Sequence, residues 1–334
     1  MDSLTKANSM AEASSSSAVA KGIFVLGMHR SGTSACTRVL NLLGCVLSGN
    51  LLGGGEGNEK GHWEAIEAIA LNDEMLASAG SSHEDWGEVN PDWKASAIRS
   101  QMVEKASAVL ADHAQIGPLF ALKDPRMCRL ADVWLEAAVA AAVEPLVLIM
   151  LRNPLEVMAS LDARDLMAEG YAELLWLRHV LDAEHYSRGH KRLFYRYDQL
   201  MANGQSLIGK IKGAFDIALP RNTPKVHAEI SKFLSNSHRH HHSDPAVVLD
   251  DLTRSSWLRE TFRIMLAWSE NGENEADYAV LDEIRAVLNR SHAVFARLLL
   301  TSEMTGEVGS GVHLRNELGL LRQQIADQTE KLRL

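Results

Sequence analysis

The feature that most constrains this chain is a short apolar run, Ile23-Phe24-Val25-Leu26, that ends in Gly27-Met28-His29-Arg30-Ser31-Gly32-Thr33-Ser34. Beyond it, Val39, Leu40, Leu42 and Leu43 recur at helical spacing, and Gly44 is a natural stop. That order is strand, glycine-rich loop, helix. Such a loop turns successive backbone N–H groups towards one point, and the helix N-terminus adds a field that favours an anion. A glycine-rich turn can also be a plain connection; here the strand, the helix and the Thr33-Ser34 hydroxyl pair all agree on phosphate binding. The spacing is that of the Walker loop, but Thr33-Ser34 stands where Lys-Ser/Thr is expected.

Two more apolar runs fit buried strands, Leu119–Leu122 and Leu146–Leu151. The first ends in Lys123-Asp124-Pro125-Arg126 and the second in Arg152-Asn153-Pro154. Asn153 as N-cap, Pro154 at the first helical position and Glu156 three residues after the cap predict a helix entry there. Helical patterns cover Trp93–His113, Met127–Val143 and Tyr171–Arg188; a fourth strand is expected over Leu193–Tyr197, and mostly helix follows to Leu300. Strands alternating with helices predict an α/β class, a P-loop-like three-layer fold with a mostly parallel central sheet and a helix-rich C-terminal half. Ligands of such sheets bind at the carboxyl ends of the strands, where the polar clusters lie.

Residues 1–20, rich in Ser and Ala, read as a disordered arm, residues 21–300 as one α/β domain, and 301–334 as linker and helix. In the last segment Leu314, Leu318, Leu321, Ile325 and Leu332 step by four and three, with Gln328 in the missing place. This seam suits a coiled coil and a homo-oligomer, or an amphipathic helix packed on its own domain. A balance of 34 Lys and Arg against 43 Asp and Glu gives a net charge of −9, which disfavours nucleic acid as a partner. Cys36, Cys45 and Cys128 fit neither a disulfide framework nor a zinc site. No apolar core of a secretory signal and no membrane span are found, so a cytoplasmic location is expected.

The missing lysine points away from a nucleoside triphosphatase, in which that residue reaches the outer phosphates and a strand-end Asp helps hold magnesium. Here the loop carries Arg30, the clearest core strand ends in Arg152, and Asp124 lies between Lys123 and Arg126. A metal-free phosphate site is the expectation.

At these residues the chain resembles the sulfotransferases that use 3′-phosphoadenosine-5′-phosphosulfate (PAPS), in the bacterial type with Arg in the loop. Their first signature, strand then [K/R]-S-G-T-[S/T], matches Arg30-Ser31-Gly32-Thr33-Ser34; the resemblance implies that these five bind the 5′-phosphosulfate. The second, a strand-end Arg and a Ser eight residues later, matches Arg152 and Ser160, implied ligands of the 3′-phosphate. Tyr195-Arg196-Tyr197-Asp198-Gln199-Leu200 is similar to the family's Y-E-D-L segment and implies Tyr197 near the nucleotide. Arg239, in the run His238-Arg239-His240-His241-His242, resembles a basic residue of the family's last loop. The likeness covers roughly residues 21–240; the family's C-terminal R-K-G-x-x-G-D-W loop is absent.

The resemblance implies in-line transfer of a sulfonate to an acceptor hydroxyl, carbohydrate first, with a carboxylate as general base. Asn58-Glu59-Lys60-Gly61-His62-Trp63-Glu64 resembles the family's G-[H/Y]-W-E element, which makes Glu64 the first candidate, His62 the second and Asp124 the third. Arg30 would stabilise the leaving oxygen. Lys123 and Arg126 could guide the sulfonate or acceptor, or form structural ion pairs. Two other classes stay open: a nucleotide-dependent kinase with Asp124 on magnesium, and a non-catalytic scaffold assembled through the C-terminal helix.

Overall fold

The computed structural model describes residues 19–55, 61–235 and 243–304. Residues 1–18 of the N-terminal arm, the His238–His242 run with Arg239, and the heptad seam lie outside them.

The apolar runs become parallel strands: β1 (Ala20–Leu26), β2 (Leu119–Lys123), β3 (Val143–Leu151) and β4 (Lys191–Arg196), in the order β2-β1-β3-β4. Their side chains alternate between two apolar cores, as a central sheet covered on both faces requires. Ile23, Val25, Leu146, Leu148 and Met150 pack one core against α1 (Thr33–Leu42), α8 (Tyr197–Ala202), α9 (Ser206–Phe215) and α10 (Pro224–Ser235). Phe24, Leu26, Phe120, Leu122, Val147 and Ile149 face the other. That layer holds α2 (Ile66–Ser78), α4 (Ala97–Ile116), α5 (Ala131–Ala140), α6 (Pro154–Asp165), α7 (Glu169–Tyr186), α12 (Ser256–Asn271) and α13 (Tyr278–Met304). Short helices α3 (Pro91–Lys94) and α11 (Pro245–Leu249) complete the chain order. The expected α/β fold with a parallel sheet is the one observed.

The sheet order has a consequence for function. β1 and β3 are neighbours, yet the helix after β1 lies on one face and the helix after β3 on the other. Their two following loops therefore diverge and open a crevice between them. Gly27–Ser34 and Arg152 line it.

Several boundaries differ from the periodicity. β1 begins at Ala20, inside the stretch expected to be a disordered arm. The pattern read as one helix over Met127–Val143 is broken: a 3₁₀ turn spans Pro125–Cys128, α5 ends at Ala140, and Ala142 takes φ +54° before Val143 opens β3. Trp93–His113 likewise divides, because Ser96 caps a new helix, accepting from Arg99 N–H. Tyr197 does not end the fourth strand; it starts α8. β3 also reaches back past Pro145, which pairs with Gly22 of β1 before β4 joins at Leu146. A proline fits this strand only at its half-paired start.

Candidate active site

The loop after β1 is held in a shape that demands glycine at two points. Gly27 has φ +151°, and a Cβ there would lie 2.8 Å from Met150 O. Gly32 has φ +84°, and a Cβ would lie 2.1 Å from the Tyr197 ring. Arg30 also takes a left-handed backbone, φ +69°. From below, Gly27 N–H donates to Cys128 Sγ (3.0 Å), and Ser31 N–H closes a turn on Met28 O (3.1 Å). No side chain caps α1, whose N-cap is Gly32, and its first turn carries no acid. Its leading N–H groups thus point into the crevice as an anion cradle requires.

The two motifs read separately in the sequence are one cluster. Arg30 Nε donates to Ser160 Oγ (2.8 Å), and Arg152 Nη1 donates to Arg30 O (2.7 Å). Arg152 lies 4.6 Å over the ring of Tyr197, the same ring that closes on Gly32. Asn153 caps α6 as expected, accepting from Leu155 N–H, but Glu156 does not close a capping box. Its carboxylate instead accepts from Arg152 Nε (2.9 Å) and Ser243 N–H (3.0 Å), which orients the guanidinium. Burial, then the guanidiniums of Arg164 and Arg152, push the Arg30 pKa down. Asp165, the ion-pair partner of Arg164, opposes that shift.

A second cation reaches the loop from β2. Lys123, 2% exposed, donates to Ser34 Oγ (3.0 Å) and to His62 O (3.2 Å), and is ion-paired with Glu64, 6% exposed. An ammonium thus reaches the loop from the neighbouring strand rather than from the loop's own sequence. Glu64 is thus placed at the loop by a charge partner. His62 contributes its carbonyl to this contact; its imidazole pKa is lowered by burial against the raising effect of Glu64.

Asp124 is committed elsewhere. Fully buried, it accepts from Asn72 Nδ2 (3.1 Å), Arg126 N–H (2.9 Å) and Arg126 Nη1 (3.1 Å), while Arg126 Nε pairs with Asp73 (2.7 Å). Arg126 is therefore a structural pair holding the turn after β2.

Two groups escaped the sequence reading. Arg164 follows Ser160 by four residues on α6, as Ser160 follows Glu156, so all three share a face; that spacing was legible. His29 was not. Its Nε2 is buried without a partner among the described residues, and its ring lies 5.8 Å from His179 and 6.0 Å from His83. Burial first, then His179, hold its pKa well below the ordinary histidine value. These rings come from three distant segments. No group of three or more metal-ligating side chains is found among the described residues, nor any helix long and apolar enough to cross a membrane.

No protein-family model matches the chain, and no curated protein matches it. Among solved structures it is similar to sulfotransferase STF9 from Mycobacterium avium, at 16% identity over 68% of this chain and 69% of that one, with a TM-score of 0.41. It is also similar to a sulfotransferase domain from the Synechococcus PCC 7002 olefin synthase, at 18% identity over 73% and 88% with a TM-score of 0.37. A sulfotransferase domain from the curacin biosynthetic pathway shares 17% identity over 63% and 77%, also with a TM-score of 0.37.

Proposed function

We propose that this chain is a PAPS-dependent sulfotransferase acting on a hydroxyl acceptor, carbohydrate first. The observation that carries the reading is the contact of both anion motifs through Arg30, Ser160 and Arg152, with Lys123 on the opposite flank of the same loop. One small ligand with two anionic ends suits this arrangement. Arg152 and Ser160 take the 3′-phosphate, with Tyr197 as a wall between them and the loop. The N–H groups at the start of α1, with Ser34, Lys123 and Arg30, take the phosphosulfate. An uncapped helix start with a guanidinium in the same loop suits such a donor.

When bound, PAPS supplies the sulfonate: the acceptor oxygen forms the new O–S bond, the S–O bond to the 5′-phosphate breaks, and adenosine 3′,5′-bisphosphate leaves. Glu64 takes the hydroxyl proton. Lys123 contacts both Glu64 and Ser34, so as the proton neutralises the carboxylate the ammonium, keeping its charge, can pair with the leaving phosphate oxygen. His62 is the second candidate for the proton. Arg239 and the C-terminal seam, with the homo-oligomer it would build, lie outside the described residues and remain part of the proposal from sequence alone.

Isothermal titration with adenosine 3′,5′-bisphosphate and with ATP, each with and without magnesium, tests the reading. The bisphosphate should bind without magnesium and more tightly than ATP, and Arg152→Met should weaken it at least tenfold, the value of one charge-assisted contact. Magnesium-dependent binding that prefers ATP would instead support a kinase, and binding of neither a scaffold.

A further inference from the structure

Beside the transfer site, on the α1 side of the sheet, lies an open groove of roughly 310 Å³ lined by Asn41, Leu47, Ser48, Leu51, Trp63 and Arg221 among others; no Asp or Glu lines it, although the Ser48 hydroxyl in its wall donates to the Glu67 carboxylate (2.6 Å). Three features mark it as built. Trp63 holds φ +59°, a left-handed conformation that is costly for a bulky side chain and persists where the surroundings impose it. Its ring carries Arg38, whose guanidinium lies 4.7 Å from the ring centroid and donates Nη1 to Asn41 Oδ1 (2.5 Å). Gly44, at φ +101°, lets the chain at Pro220 approach within 2.9 Å of where a Cβ would be, and Arg221 N–H closes on Leu43 O (2.8 Å).

Arg38 and Arg221 differ from most arginines of this protein. Arg99, Arg126, Arg164, Arg188 and Arg192 are each ion-paired with a carboxylate, whereas neither Arg38 nor Arg221 makes an ion pair among the described residues. Glu229 favours the charged form of Arg38 without forming an ion pair with it among the described residues. The groove also joins the reaction centre. Arg38 follows Ser34 by four residues on α1, and Trp63 lies between His62 and Glu64, which both contact Lys123.

We propose that this groove holds an acidic sugar unit of the acceptor. Arg221 in its lining, with Arg38 beside it on the Trp63 ring, engages its carboxylate or sulfate, Asn41 and Ser48 border its hydroxyls, and the adjoining unit presents the reacting hydroxyl at Glu64. Planar guanidinium forks suit either anion. The inference rests on sulfotransfer to carbohydrate and narrows it to acidic oligosaccharides.

The test is isothermal titration of the full chain with three tetrasaccharides: one alternating glucuronate and N-acetylglucosamine, one of neutral sugars bearing sulfate esters, and one of N-acetylglucosamine alone. At least one acidic probe should bind ten or more times tighter than the neutral one, and which of the two does so identifies the anion. Arg221→Met and Arg38→Met should each cost that probe roughly tenfold, with Arg38→Lys intermediate. Arg221 is exposed, so its variant is the one that leaves folding intact if Arg38→Met does not. Equal binding of acidic and neutral probes, binding unchanged in Arg221→Met, or no binding of either acidic probe would overturn the proposal. Adenosine 3′,5′-bisphosphate titrated into the same samples reads the donor site separately. If it binds while the acidic probes do not, the groove is wrong and sulfotransfer stands; if it fails while they bind, sulfotransfer is wrong and the groove stands.

Discussion

Replacing Glu64 by Gln is the perturbation with the most to say, because the same carboxylate holds a buried lysine and is the proposed base. Lys123 and Glu64 are almost fully buried, and removing one partner of such a pair typically costs about 3–5 kcal/mol through the charge left behind. Two things lower that figure here. Lys123 keeps its bonds to Ser34 Oγ and His62 O, and the Gln side-chain oxygen can still accept from it. About 2 kcal/mol is expected, which at roughly 2–4 °C per kcal/mol for a domain of this size is a Tm loss near 4–8 °C. Adding adenosine 3′,5′-bisphosphate gives Lys123 a new anion, so the ligand should raise the Tm of Glu64→Gln more than that of the parent. The double change Glu64→Gln with Lys123→Met should recover part of the lost stability, since no charge is then stranded, but none of the activity. Thermal unfolding with and without the bisphosphate, beside a sulfonate-transfer assay, reads all of this. Near-normal turnover by Glu64→Gln would remove Glu64 as the base. A double variant no more stable than the single one would refute the account of the pair.

Gly32→Ala places a methyl group 2.1 Å from the Tyr197 ring at a φ that costs an L-residue about 1–2 kcal/mol, so both the Tm and bisphosphate affinity should fall, the latter at least tenfold; unchanged affinity would count against a binding role for this loop shape. Ser160→Ala should weaken the 3′-phosphorylated nucleotide more than adenosine 5′-phosphosulfate, because the proposed role of the lost hydroxyl is contact with the 3′-phosphate; equal losses would contradict that role. Burial holds the His179 pKa down to about 4 against an ordinary 6.5, and holds His29 low as well. Below pH 6.5 the unfolded chain therefore binds protons that the folded one refuses, and stability should fall from pH 6.5 towards pH 4, by about 3 kcal/mol from His179 alone. Urea midpoints at pH 7.5, 5.5 and 4.5 check this, and His179→Asn should flatten the fall; a midpoint independent of pH over that range would refute it.

Short-range physics controls the features that could be read along the chain. The buried strands, the glycine loop and the Asn153-Pro154 helix entry were legible, because apolar runs, positive-φ glycines and caps act within a few residues. Periodicity failed at Ala142, Ser96 and Tyr197, where a left-handed residue, a serine cap and an aromatic residue opening a helix interrupt patterns that continue in composition. Which side chains meet is set by the tertiary fold. Arg30 meets Ser160 across 130 positions, Lys123 meets Ser34 across 89, and Glu64 is claimed by Lys123. The physical reason is the sheet order: placing β1 between β2 and β3 brings three strand ends together, and no local pattern of residues encodes which strands become neighbours.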